Sequence, residues 1–422
     1  MKTITILSII IAFSIISTAQ YTSVIDGNWT SPTTWSPMGV PGPGDDATIN
    51  TNVILDTDFG YNSGTIIINA SGTLIENVGG RSFAVQGGEL NVSGTLDVTN
   101  FMATGGIFEI TGTGTATTHI MFLGTTVDNY GFIDVDSLQN TVELNNYTNA
   151  TIDVFKFLNQ GELNNAGVID VTDFYNDGEL INNYDIYLTN FTNADYTLNN
   201  WYIEFNDFTN TGDFENDGSL FGTNDFTNAG FFEHYDDFYV ANDFLNADSV
   251  DFEAYFYTES LVTIGNNWYN ADTIEGTVNA QFCIQNETGN EGEMLGFFDF
   301  CDNTPPGTSP YIDINIGNID AGITYCLTPC NTNLAKNTDT KPSVNIYPNP
   351  FSYEATIEFE NFNSNKEFQF VIYDITGKKV LQISELNGEN IKINNVDIGK
   401  GFYFYSITAD NKIVTSGKFV VE

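Results

Sequence analysis

The sequence predicts an all-β chain, a parallel β-helix solenoid followed by a small C-terminal β-sandwich. Three observations carry this. A phenylalanine-led phrase recurs every 17 or 18 residues, at Phe157, Phe174, Phe191, Phe208, Phe226 and Phe244, and closes with Trp268 after a 24-residue gap. Each leading aromatic has an asparagine two positions on: Asn159, Asn176, Asn193, Asn210, Asn228, Asn246 and Asn270. A repeat this short cannot bury its own apolar face, so neighbouring repeats must stack. Further apolar residues fall near six and twelve positions after each leading ring, as in Phe157, Leu163 and Ile169, and local alternation (Val168-Ile169-Asp170-Val171) marks strands. Last, seven β-rich runs, around Ile346, Ile357, Val371, Val380, Ile391, Phe402 and Val414, are separated by turn signals such as Thr376-Gly377 and Asp410-Asn411.

Met1 to Ala19 reads as a signal peptide: Lys2, an apolar run from Ile4 to Ile16, then the small-residue site Ser17-Thr18-Ala19. The mature chain would begin at Gln20, outside the cytoplasm. No other stretch approaches the ~18 apolar residues of a spanning helix, so no transmembrane segment is expected. Residues 20–47 read as an N-terminal cap, in which Trp29 and Trp35 cover an apolar end and a Pro/Gly turn (Pro41 to Gly44) leads into a strand at Thr48.

The coils are expected over residues 48–282, roughly 13 turns and on the order of 60 Å long at about 4.8 Å per rung. Early coils carry small corners: Gly88-Glu89-Leu90-Asn91-Val92 and Gly106-Ile107-Phe108-Glu109-Ile110 are 18 apart, as are Gly94 and Gly112. Later coils carry Asn/Asp/Gly corners, both Asn and Gly tolerating positive φ. The aromatic column reads as core, each buried Phe contributing about 1.5–3 kcal/mol with added ring stacking. The competing reading is an exposed row that grips sugar rings. The asparagine column reads as an internal amide ladder, a ligand role being the alternative. The 24-residue gap places an insertion at Thr258 to Asn267, with Glu259 its one carboxylate.

Residues 283–330 hold all four cysteines and read as a C-terminal cap. An even number in an exported chain points to disulfides. Cys326 and Cys330 enclose three residues, which suggests a local clip, with Cys283 and Cys301 as the other pair. Zinc is the alternative, with His119 and His234 both remote in sequence. Asn331 to Thr340 is Asn/Thr/Lys-rich; residues 331–341 read as a linker before the terminal domain at 342–422.

Charge separates the two halves. The chain carries a net charge of −43. Residues 20–335 hold 44 acidic side chains against Arg81 and Lys156, whereas Lys341 to Glu422 holds 10 acidic residues and 8 lysines. Such a solenoid excludes nucleic acid, whose phosphates it cannot neutralise, and an anionic membrane surface. It attracts cations, and its Asp/Asn/Gly corners offer the hard oxygen ligands calcium takes. No calcium-binding nonapeptide repeat is present, so no metal residue is assigned; a solvated acidic face is the plainer reading.

Both ends resemble secreted bacterial modules. Gly27-Asn28-Trp29, Thr34-Trp35-Ser36 and Pro41-Gly42-Pro43-Gly44-Asp45-Asp46-Ala47-Thr48-Ile49 are similar to the start of secreted bacterial β-helix proteins, for which right-handed coiling is the family-like choice. Four motifs follow in order at the C-terminus: Tyr347-Pro348-Asn349-Pro350, Tyr373-Asp374 with Gly377, Gly401, and Gly417-Lys418. They resemble the C-terminal sorting domain of the type IX secretion system. The resemblance implies a partner, the type IX machinery, and a route: export, outer-membrane passage, removal of the domain, then release or attachment to surface lipopolysaccharide.

The expectation is therefore a secreted or cell-surface, structural or adhesin-like solenoid, with no enzyme activity and no cofactor beyond possible calcium, meeting extracellular glycans. The alternative is a polysaccharide-degrading β-helix. A lyase needs basic residues that Arg81 and Lys156 hardly supply; a glycoside hydrolase needs converging carboxylates, so hydrolysis ranks above elimination. No Gly-x-Ser-x-Gly elbow, phosphate-cradling loop or His-based metal motif is present.

Overall fold

The computed structural model describes residues 19–76, 79–247, 254–326 and, near the C-terminus, 343–347, 349, 351, 353–360, 368–374, 379–384, 391–394, 398–409 and 412–421. The expected signal segment (bar Ala19) and linker lie outside the described residues. Two compact units divide between Thr332 and Asn333.

The first unit is a parallel β-solenoid of about 14 coils. One coil shows how sequence makes it. The strand Thr151–Asn159 alternates in burial except at Phe155-Lys156, where two outward residues in succession mark a corner. Side A is therefore residues 151–154 and side B residues 156–159; Glu162–Asn165 forms side C. Each side points two residues inward: Ile152 and Val154, Phe157 and Asn159, Leu163 and Asn165, all 2% exposed or less. The next coil repeats them in parallel register, Ile152↔Ile169, Phe157↔Phe174 and Leu163↔Leu180. The position six beyond the leading ring is thus side C and the position twelve beyond it is side A of the next coil.

The leading aromatics form one internal column. Phe157, Phe174, Phe191 and Phe208 stack at 4.9, 5.3 and 4.6 Å between centroids. At Phe226 the stack turns edge-on, 5.3 Å and 76° from Phe208. The reason is crowding: at adjoining inner positions Phe205 follows Leu188, Phe214 follows Thr197 and Phe232 follows Phe214, and Phe214 and Phe232 stack at 5.0 Å. Edge-to-face contact is the favourable arrangement once rings surround rings.

The asparagines after those rings are fully buried. Nδ2 of each donates to Oδ1 of its counterpart one coil on, from Asn140 and Asn159 through to Asn290 and Asn315, at 2.7–2.9 Å. A second ladder on side C runs Asn129, Asn146, Asn165, Asn182, Asn199 and Asn216 at 2.6–2.8 Å. The reading of these asparagines as positive-φ corners is corrected: among the described residues only Asn149 (φ 71) is a non-glycine in that region. The other left-handed positions described are glycines. Gly88 and Gly106 have φ of 77 and 79, and a Cβ on Gly106 would sit 2.3 Å from the Gly88 carbonyl oxygen. Gly94 aligns with Gly114 rather than Gly112, since Thr95 pairs with Thr115.

Several expected boundaries move. Gln20–Ser23 already pairs in parallel with Asp46–Ile49, so the cap begins the coil, closed by Trp29 against Trp35 (5.1 Å) and Phe59 (4.5 Å). Parallel pairing also continues past residue 282 to Thr324–Tyr325, so the cysteine segment is solenoid rather than a separate cap. The insertion lies elsewhere than Thr258 to Asn267. Register offset is 18 at Phe226↔Phe244 and 24 at Phe231↔Tyr255, which puts the extra residues between Asn246 and Tyr255. The disulfide expectation is corrected too. Cys301 bonds Cys326, with Cα atoms 4.8 Å apart, and Cys283 stands opposite Cys301 in the preceding coil. The cysteines form a column one rung apart, so coil register rather than short sequence separation selects the partner. Cys283 is also disulfide-bonded; Cys330 lies outside the described residues.

The second unit is two antiparallel sheets, Ser343–Tyr347 with Glu354–Glu360 and Ile391–Asn394, and Lys379–Ser384 with Phe368–Asp374, Gly401–Ala409 and Lys412–Val421. Each of the seven strands contains one of the seven β-rich runs read from sequence. Ile357 and Ile393 of one sheet share a core with Phe370, Ile372, Tyr403 and Phe419 of the other, which makes a sandwich.

His234 replaces asparagine at the end of the side-C ladder. Its Nδ1 accepts from Asn216 Nδ2 at 3.0 Å, so protonation there would set donor against donor. Burial pushes its pKa down to about 3 from 6.5. A depressed base contributes stability above its unfolded pKa that is lost as pH falls from 6.5 toward 3, by about 1.4 kcal/mol per pH unit. His234→Asn should therefore gain on wild type by roughly 1–3 kcal/mol between pH 7 and pH 5 in urea unfolding; an unchanged gap would contradict this role.

Candidate functional site

The residues singled out from the repeat do not form a site. Phe157, Phe174, Phe191, Phe208, Phe226, Phe244 and Trp268 are at most 2% exposed, and Asn159, Asn176, Asn193, Asn210, Asn228, Asn246 and Asn270 are 0% exposed. Neither row meets solvent, so neither can grip a ligand.

The sorting-motif residues sit in the sandwich. Tyr347 ends the first strand and is exposed, as is Asn349. Tyr373 and Asp374 end the strand Phe368–Asp374, opposite Phe404 and Tyr403. Gly401 pairs with Val421, Gly417 with Tyr405, and Lys418 with Phe404. Pro348, Pro350 and Gly377 lie outside the described residues. After the Tyr-Pro-Asn-Pro run, Phe351 is buried, bridges to Val421 and stacks on Phe419 at 6.0 Å. Both ends of the motif series thus converge on the final strand.

Sequence reasoning missed the surface with the most chemistry, the outer face of side C. Three residues of each coil point outward there, two from the strand and one from the corner. Successive coils give Asp213, Glu215 and Asp217, then Phe231, Glu233 and Tyr235, then Tyr255, Tyr257 and Glu259, then Thr273 and Glu275. Phe231 and Tyr255 stack at 5.1 Å and 7°, and Tyr235 meets Tyr257 edge-on at 5.9 Å. Every tyrosine here donates to a carboxylate: Tyr235 to Glu233 (3.1 Å), Tyr255 to Glu275 (2.7 Å) and Tyr257 to Glu259 (2.5 Å). The rings are therefore held by acids while Phe231 and Tyr235 stay 40% and 37% exposed. In sequence Phe231 and Tyr255 are 24 apart; with the insertion assigned downstream of both, the column goes out of phase and disappears.

A second feature is an open depression of about 300 Å³ on side A of the early coils, lined in part by Glu76, Asp97, His119, Asp134 and Asp136. Glu76 accepts from the Thr99 hydroxyl at 2.7 Å, and His119 Nδ1 meets Asp136 at 2.5 Å, which raises the imidazole pKa. Partial burial, with the charges of Asp153 and Asp136, raises Asp134. Asp134, Asp153 and Asp170 occupy one column, one rung apart. Among the described residues no group of three or more His, Cys, Asp or Glu is placed to hold a metal ion.

Residues 345–422 match the family described as the secretion system C-terminal sorting domain. No curated protein sequence matches the chain. Among solved structures the chain is similar to a multi-modular, cell-surface-expressed chitinase from Paenibacillus sp. str. FPU-7, at 9% identity over 89% of this chain and 24% of that one, with a TM-score of 0.16. The chain thus spans about a quarter of that protein, and a likeness this slight carries no argument. The sorting domain indicates export, ending in secretion or surface attachment, and implies contact with the type IX machinery. No helix among the described residues is long and apolar enough to cross a membrane.

The tyrosine–carboxylate bonds are testable on their own. Hydrogen bonding to Glu259, with burial and nearby acids, pushes the Tyr257 hydroxyl up to about 12. Glu259→Gln should return one tyrosine toward its ordinary value near 10 in an alkaline titration followed by tyrosinate absorbance; an unchanged curve would mean the bond does not form in solution.

Proposed function

We propose that this chain, a parallel β-solenoid with a type IX sorting domain behind it, is a non-catalytic structural or adhesin-like protein of the cell exterior. The observation that carries the reading is the disposition of its acids. They lie in outward columns one rung apart, as Asp134, Asp153 and Asp170 do, rather than converging across a cleft. A polymer of identical rungs offers repeated weak contacts, which suits adhesion to extracellular glycans more than turnover. Calcium serves in this reading as a diffuse counter-ion, and the terminal domain supplies the route outward and any link to surface lipopolysaccharide.

A second reading, glycoside hydrolysis, has one observation in its favour: the depression beside Asp134, where a carboxyl with a raised pKa shares the lining with several other acidic side chains. One experiment separates the two. Full-length protein, and protein lacking residues 342–422, are expressed in a type IX-competent host, and the exported form is applied to a glycan array with and without calcium. The account expects export only with the terminal domain, binding without turnover, and little calcium dependence. Glycan cleavage abolished by Asp134→Asn would replace it with the hydrolase reading.

A further inference from the structure

We propose that the outer face of side C around Phe231, Tyr235, Tyr255 and Tyr257 docks an arginine-bearing segment of a partner protein. This assignment stands independently of any glycan the solenoid contacts. The surface has two properties that rarely coincide. Its phenol groups spend their only protons on Glu233, Glu275 and Glu259, so what these tyrosines and glutamates present outward is partly exposed ring surface and oxygen lone pairs. With Asp213, Glu215 and Asp217 one coil below, the rings are also framed by carboxylates. An occupant must therefore be donor-rich, positively charged and flat enough to lie on rings.

The guanidinium group meets all three demands. It carries five N–H donors in a plane, stacks on aromatic faces and pairs bidentately with carboxylates. A lysine ammonium meets the charge requirement but not the planar one. An anionic glycan meets neither, and the solenoid's own cations, Arg81 and Lys156, lie in earlier coils. The rings on consecutive coils are 5.1 and 5.9 Å apart, so a partner chain lying along the coil axis can set successive arginines against successive rungs. The same side C offers an internal control. Tyr130 and Tyr147 stack at 4.2 Å beside Glu143, but Glu162 and Glu179 continue the outward acidic column in coils whose corner positions are Ala166 and Asn183 rather than rings.

The test uses the full exported protein and fluorescence anisotropy with a labelled peptide alternating arginine and glycine, its lysine counterpart and a neutral hexose oligomer. The expected result is arginine binding roughly ten-fold tighter than lysine, lost in Tyr255→Leu/Tyr257→Leu, which keeps apolar bulk without ring faces. Glu275→Gln should weaken binding, and Glu162→Gln/Glu179→Gln should leave it unchanged; thermal unfolding verifies that each variant is folded. Equal binding of both peptides with equal loss in the control variant would reduce the effect to a diffuse ion atmosphere and overturn the proposal. So would hexose binding at these rings without peptide binding, or no binding at all.

Discussion

The buried amide ladder is the constraint on which the rest of the solenoid depends. An inward polar group is tolerable only when its hydrogen bonds are complete, and along the two amide ladders the partner is the asparagine at the same position one coil away. Asn193 shows the accounting: its Oδ1 accepts from Asn176 and from the Thr197 hydroxyl, while its Nδ2 donates to Asn210 and to the carbonyls of Asp195 and Asp213. A strand slipped by one residue would turn the amide outward and bring the outward-facing side chains inside. The ladder therefore sets register, and register then places the Phe column, the cysteine column and every outward acid. Dispersion and burial supply the bulk of the stability; the amides supply its uniqueness.

Outward charge follows from the same geometry. Stacking identical coils stacks identical side chains, so an aspartate column repels itself at rung spacing. The chain relieves this in part by interposing amides: Asp225 accepts from Asn242, and Asp243 from Asn266, one coil on. Where no amide intervenes, at Asp134 and Asp153, burial and neighbouring charge raise the carboxyl pKa. On side C tyrosine takes that role, and in doing so creates the ring-bearing acidic surface. The surface chemistry is thus partly a by-product of keeping a −43 chain folded.

Much of this was legible in sequence. Phe-x-Asn at a 17- or 18-residue period declares both an inner ring and an inner amide, and the seven terminal strands announce themselves by alternation and turns. The second ladder was harder, because Leu144-Asn145-Asn146 and Leu163-Asn164-Asn165 each carry one outward and one inward asparagine, and the series ends in His234 and Thr258 rather than asparagine. The cysteine pairing was misread because a short loop competes with a coil only when the coil is overlooked. The ring cluster on side C was hidden by a single misplaced insertion. In a periodic fold, register errors propagate, and long-range neighbours become visible only once the phase is right.

Exchange of the asparagine side-chain amide protons, followed by NMR in native buffer, tests the central claim most directly. The account predicts that Nδ2 protons of Asn176, Asn193 and Asn210 exchange orders of magnitude more slowly than those of exposed Asn190, and broadly in step with the surrounding backbone. Fast exchange at those three positions in the folded protein would show that the amides are not laddered in the core, and the account would fail.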